Sequence, residues 1–195
     1  MIQYLHMDCE MGGRELKYSL LTAYFMVTDS NFNVLDELFL RVKPDDGTYI
    51  VSGQGMSVNQ IDLREHDRIA IPYKNAKPFL FNFLKRNAAK GLLTPSGHGV
   101  RGDVDHVIDK LISEGSWQQF CTYHFIDTSV VLQFLRACGK MPADCDGSVK
   151  ALAQYFNIPI EGKLHECDVD TKLQAEVLRH FVKLGQEQIS GILGQ

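Results

Sequence analysis

The sequence predicts an α/β fold, a mixed β-sheet flanked by α-helices, from three observations. Strand-like segments crowd the first 43 residues, and strand-like and helix-like segments alternate from about residue 75 onward. A chain of 195 residues with 45% hydrophobic content is also long enough to bury a sizeable core. Strands first and alternation later mean a sheet that is antiparallel at its start and takes on parallel neighbours afterwards.

Residues 2–9 read as a strand, and "SLLTAYFMVTD" reads as a second. The polar turn "DSNFN" leads into "VLDELFLRVK", where Val34, Asp36, Leu38, Leu40 and Val42 share one face. Residues 44–73 are rich in Gly, Pro and polar side chains, which predicts a long irregular surface excursion of the kind that carries function. A helix is predicted near 75–90, with Ala76, Phe79, Leu80, Phe83 and Leu84 on one stripe. "LLTPSGHG" reads as a short buried strand, "DVDHVIDKLISEG" as a helix carrying Val104, Val107, Ile108, Leu111 and Ile112, and "CTYHFID" as another strand. Helices are predicted over 128–138, 148–157 and 168–185. No repeat, low-complexity tract or linker breaks the pattern, so one domain is expected over 1–195.

The formal charge of −4 excludes a molecule that attracts polyanions over its whole surface. A nucleic-acid ligand would need a local basic patch or bound metal. The five cysteines are odd in number, scattered, and free of CxxC or CxxH spacing. That pattern predicts reduced thiols in a soluble cytoplasmic protein. No basic n-region opens the chain, and the longest strongly apolar stretch, "LLTAYFMV", is too short to span a bilayer, so no membrane partner is expected.

The chemistry is concentrated in "HMDCEMGG", residues 6–13. Side chains two apart in a strand share a face, so Asp8 and Glu10 project together while Met7 and Cys9 point into packing. Two adjacent ionised carboxylates resist burial unless a cation joins them, and hard oxygen donors suit Mg2+ or Mn2+. Acids spaced i and i+2 occur six times in the chain, and most such pairs are solvated turns or helix caps. The pair at 8 and 10 differs because it ends an apolar strand and precedes Gly12–Gly13, whose small size would let a ligand approach the backbone. Two later segments offer further ligands. "GHGVRGDVDHV" puts Asp103 where a strand passes into a helix, and "LHECDVDTKLQAEVL" puts His165 before a helix and Asp170 in or near its first turns. Alone, the first reads better as a helix N-cap and the second as a loop histidine followed by solvent-facing acids.

Taken together, Asp8-x-Glu10, then Asp103, then His165-x4-Asp170 resemble the DEDDh group of 3′-to-5′ exonucleases, which includes proofreading subunits, ribonuclease T and oligoribonuclease. The resemblance spans almost the whole chain and implies a ribonuclease H-like mixed sheet with flanking helices. It implies that Asp8, Glu10, Asp103 and Asp170 hold two divalent ions, Mg2+ or Mn2+, about 3.5–4 Å apart, with His165 as general base. It also implies that Met11, Gly12, Gly13, Asn59 (within "SVNQID") and His98 meet the substrate. The implied substrate is the 3′ end of single-stranded DNA or RNA, and the implied product a nucleoside 5′-monophosphate. The chain departs from the family habit at Met11–Gly12–Gly13, where threonines are common. It departs again at Gly99 and Gly102, where Asn follows the histidine and Phe precedes the aspartate. Lys74, Lys77, Lys85, Arg86 and Lys90 form a basic strip that reads mostly as a solvated helix face. A ribonuclease H-like endonuclease and a non-catalytic accessory module are the rival readings. A homodimer and a polymerase partner are the protein associations the sequence leaves open.

Overall fold

The computed structural model describes residues 2–193, with side chains through residue 186. Strand β1 (Tyr4–Met11) pairs antiparallel with β2 (Leu20–Thr28), which pairs antiparallel with β3 (Val34–Lys43), as the sequence predicts. Three short strands extend the ends: β4 (Ile71–Pro72) runs parallel to β3, and β5 (Thr94–Gly97) runs parallel to β1 and carries β6 (Ile126–Asp127) on its far side. The order is β4-β3-β2-β1-β5-β6, so the acid-bearing strand lies inside the sheet, where antiparallel and parallel halves meet.

Alternation along the central strands makes two different faces. Leu5, Met7 and Cys9 of β1 join Ala23, Phe25 and Val27 of β2 in the main core. Covering that face are α3 (Tyr73–Asn87) and α4 (Val100–Lys110), through Ala76, Leu80, Phe83, Val100, Val104 and Val107. Tyr24 and Met26 face the other way, against Cys167 and Ala175 of α8 (Cys167–Leu193). Helix α8 also packs Val177 and Phe181 on α6 (Thr128–Ala137) and α7 (Val149–Tyr155). Among the described residues, no helix is long and apolar enough to cross a membrane.

Three expectations need correction. The excursion over 44–73 holds two short helices, α1 (Gly53–Asn59) and α2 (Leu63–Ile69), as well as β4. Ser52 and Asp62 nucleate them by accepting hydrogen bonds from the first-turn amides of Gly55 and of Arg64 and Glu65. Phe79 is 57% exposed, because the buried stripe of α3 runs through Tyr73, Ala76, Leu80, Phe83 and Leu84. In "CTYHFID" only Ile126–Asp127 forms a strand, with Cys121 making an isolated bridge to Leu93. Thr122 Oγ1 donates to the His124 carbonyl, a local bond that competes with the ladder, and a short unpredicted helix, α5 (Glu114–Trp117), precedes the segment.

Candidate active site

The site is assembled where β1 ends. Asp8 and Glu10 lie on the face of the sheet that α8 covers, while Cys9 between them is buried in the core beneath. The β1–β2 register slips between Glu10 and Met11, a bulge that terminates regular pairing beside the carboxylates. Asp170 comes from the first turn of α8, where the helix dipole favours an acid. Carboxylate oxygens of Asp8, Glu10 and Asp170 all lie within 4.8 Å of one another. Asp103, in the first turn of α4, is 6% exposed and lines the same pocket but falls outside that tight group. The reason is topological: α4 packs on the opposite face of the sheet from α8, so Asp103 reaches the cluster from the other side.

Without a cation this arrangement is costly. Burial, then Asp170, pushes the Asp8 carboxyl up to about 7, opposed by a hydrogen bond from Gln174. Burial, then Asp8 and Asp170, pushes Glu10 up to about 9. Asp103 is held well above the usual carboxylate range by burial and by Asp8 and Glu10. Asp170 is raised by burial, while the His165 amide lowers it. Gln174 stands one turn beyond Asp170 on α8; its Nε2 donates to Asp8 Oδ1 at 3.1 Å, and its Oε1 is buried without a partner. Packed hard oxygens that are strained as anions, beside an orphaned amide oxygen, fit a divalent cation of the Mg2+ or Mn2+ kind.

His165 is exposed, has a left-handed φ of 66°, and donates its backbone amide to Asp170 Oδ2 at 3.0 Å. This contact ties the histidine's backbone to the acid five residues later, and both line the pocket. His98 also lines it. Thr128 Oγ1 donates to the Gly97 carbonyl, so the 2.9 Å contact of the same oxygen with His98 Nδ1 assigns the proton to Nδ1 and leaves Nε2 an acceptor in the neutral ring. Burial lowers its pKa. The next residue, Gly99, donates its amide to Asp127 Oδ1 at 3.0 Å, which fixes the turn into α4.

The sequence-predicted substrate residues divide. Met11, Gly13, Asn59 and His98 line a cavity of about 520 Å³ together with the four acids and His165. Asn59 does so as a staple: its Nδ2 donates to the Met11 carbonyl at 3.0 Å and its Oδ1 accepts from the Ile61 amide. Gly12 is not among the lining residues. A Cβ on Gly12 would meet the Ile50 carbonyl at 2.7 Å, and a Cβ on Gly13 would lie 2.5 Å from the Tyr18 ring. Gly12 therefore admits close packing by the protein's own loop, while Gly13 packs on Tyr18 and still lines the cavity. Gln174, His106 and Arg14 belong to the site or its rim and were not singled out from sequence. Only the i+4 spacing of Gln174 from Asp170 could have flagged one of them. The basic strip on α3 contributes no residue to the pocket, and Arg86 is paired with Asp36 at 2.6 Å.

A six-stranded mixed sheet with this helical cover and an acid cluster at the end of its central strand has the ribonuclease H-like fold of the nuclease structures that it superposes on. The particular structures that share it include Escherichia coli exonuclease I in complex with a dT13 oligonucleotide, with a TM-score of 0.78 at 14% identity. That superposition covers 99% of this chain and 44% of that one. A zinc-ion-bound form of the E. coli ExoI–ssDNA complex also has a TM-score of 0.78, at 16% identity over 99% of this chain and 43% of that one. Cell-death related nuclease 4 (CRN-4) matches with a TM-score of 0.70 and 12% identity, over 94% of this chain and 64% of that one. The chain thus spans less than half the length of the exonuclease I chains. No family model matches the sequence, and no curated protein matches it.

Proposed function

We propose that the chain is a metal-dependent 3′-to-5′ exonuclease domain that hydrolyses phosphodiester bonds at the 3′ ends of single-stranded DNA or RNA and releases nucleoside 5′-monophosphates. One observation carries the reading: three carboxylates within 4.8 Å of one another, with Asp103 and His165 lining the same pocket, on a fold shared with exonuclease I. Asp8, Glu10 and Asp170 would hold a divalent ion, and Asp103, which lines the same pocket, would help to hold a second. Bound there, Mg2+ or Mn2+ would supply charge stabilisation at the phosphate and an acidified water.

The chain's own residues do the rest. His165 accepts the proton of the attacking water, and its exposed position lets it pass that proton to solvent. The backbone bond from His165 to Asp170 keeps the base in step with the metal-holding acid. Gln174 occupies one oxygen of Asp8 and leaves the other for the cation. Water attacks phosphorus, the bond to the 3′ oxygen of the preceding nucleotide breaks, that oxygen takes a proton from solvent to become the new 3′ hydroxyl, and the terminal nucleotide departs with its 5′ phosphate.

The test is incubation of end-labelled single-stranded DNA, RNA and duplex with Mg2+ or Mn2+, alongside a circular single strand. A ladder shortening from the 3′ end, with 5′-monophosphates released and the circle intact, is the expected result. Cleavage of the circle would replace this reading with an endonuclease, and no hydrolysis under any metal would favour the non-catalytic module.

A further inference from the structure

The remaining question at this site is what attracts a polyanion to it. On the nuclease reading, on which this inference rests, two divalent ions balance four carboxylates, so the loaded cluster is about neutral. A further cation would add attraction for the strand; Arg41 and Lys163 line the adjoining cavity, and among the described residues lining this pocket the sole permanent cation is Arg14. Its neighbours are committed elsewhere. Lys17 pairs with Glu15 at 3.0 Å, Arg101 with Asp105 at 2.9 Å, and Lys110 with Asp109 at 2.6 Å. His98 is bonded to Thr128, and His106 lies between the carbonyls of Gly102 and Glu15 at 3.0 and 3.2 Å. Arg14 has no ion pair among the described residues.

The loop that carries Arg14 is pinned on both sides. Gly12 donates its amide to the Ser19 carbonyl at 2.8 Å, and Gly13 packs beneath the Tyr18 ring. Beyond Arg14, the Glu15 carbonyl accepts from the Tyr18 amide at 2.9 Å and contacts His106 Nε2, and the Leu16 carbonyl accepts from Lys110 Nζ at 2.8 Å. A long cationic side chain on a loop tethered in this way is held at the pocket rim with little freedom left in its backbone. Glu10 and Asp103 are buried and Asp8 and Asp170 half-buried in the pocket, while Arg14 is exposed. The phosphate within its reach is therefore one further along the strand than the scissile phosphate.

We propose that Arg14 is a substrate-clamping residue that grips a phosphate on the 5′ side of the scissile bond through its planar guanidinium fork. Its grip favours polynucleotides over substrates with a single phosphate.

The test compares wild type, Arg14→Ala and Arg14→Lys on two substrates. One is a labelled single-stranded oligonucleotide; the other is the 4-nitrophenyl ester of thymidine 5′-monophosphate, which contains only the scissile phosphate. Arg14→Ala should lower kcat/KM on the oligonucleotide at least about tenfold more than on the ester, chiefly through KM. Arg14→Lys should fall between, because it keeps the charge and loses the fork. Binding of the same oligonucleotide, read by fluorescence anisotropy in an Asp8→Asn background, should weaken with salt less steeply when Arg14→Ala is added. The log–log slope should drop by about 0.7, the value for one phosphate contact on a single strand. Equal losses on both substrates, or an unchanged salt slope, would overturn the assignment. If wild type hydrolyses neither substrate, the nuclease reading fails by itself and the anisotropy slope still decides the role of Arg14.

Discussion

Asp8→Asn offers the sharpest separation of metal chemistry from folding. Burial and Asp170 raise the Asp8 carboxyl from 3.8 to about 7. Because the folded pKa is the higher one, the native state retains a proton that the unfolded chain has released. Stability is therefore intact below about pH 4, falls as pH rises toward 7, and carries the full penalty above it. The penalty is on the order of 4 kcal/mol for Asp8 alone in the metal-free protein. Asparagine is neutral throughout, and its Oδ1 still accepts from Gln174, so the substitution removes the penalty while keeping the contact. With EDTA at pH 8 the variant should melt above wild type, by up to about 8–16 °C at roughly 2–4 °C per kcal/mol for a chain of this size. At pH 4 the two should nearly coincide. Saturating Mn2+ narrows the gap: at a hundred times Kd one bound ion adds about 2.7 kcal/mol to wild type and much less to a variant that lacks a ligand. Turnover should be nearly abolished. Scanning calorimetry across pH 4–9, with EDTA and with Mn2+, reads all of this. A variant whose EDTA melting curve runs parallel to wild type at every pH, or one that gains as much from Mn2+, would refute the account of the cluster.

Three further outcomes are expected. Gln174→Met keeps most of the buried volume but drops the bond to Asp8, and Mn2+ affinity by calorimetric titration should weaken about 10–100-fold, the usual effect of losing a partner that orients a ligand; unchanged affinity would make Gln174 a packing residue only. His165→Ala should cut single-turnover rates by about 10²–10⁴-fold while Mn2+ binding is largely kept, since the four acids remain; wild-type rates would remove His165 from the mechanism. Cys9→Ala should lower Tm by a few degrees, about 1 kcal/mol, through lost core contacts, and leave the proposed hydrolysis by the folded chain in place. Fast thiol labelling of native Cys9 would contradict its burial at 5% exposure, and burial together with Asp103 already holds that thiol in its protonated form.

Sequence alone determined the parts of this protein that depend on local periodicity. Alternation in "HMDCEMGG" put Asp8 and Glu10 on one face and Cys9 on the other, and β1 keeps that division. The first three strands, the helix carrying Asp103 and the helix carrying Asp170 follow from apolar spacing, because burial of one face selects the period of the element. Tertiary structure decided what depends on residues far apart in the chain. Gln174 meets Asp8 across 166 positions, and no local pattern encodes that contact. Asp103 stands apart from the three clustered acids because α4 and α8 take opposite faces of the sheet, a choice made by packing rather than by either helix's own sequence. The paired glycines looked like room for a ligand, yet at Gly12 Ile50 and Val51 occupy that room once the excursion over 44–73 folds back, while Gly13 packs on Tyr18 and still lines the cavity. A glycine shows only that something comes close, and which partner comes is settled when distant segments compete for the same space.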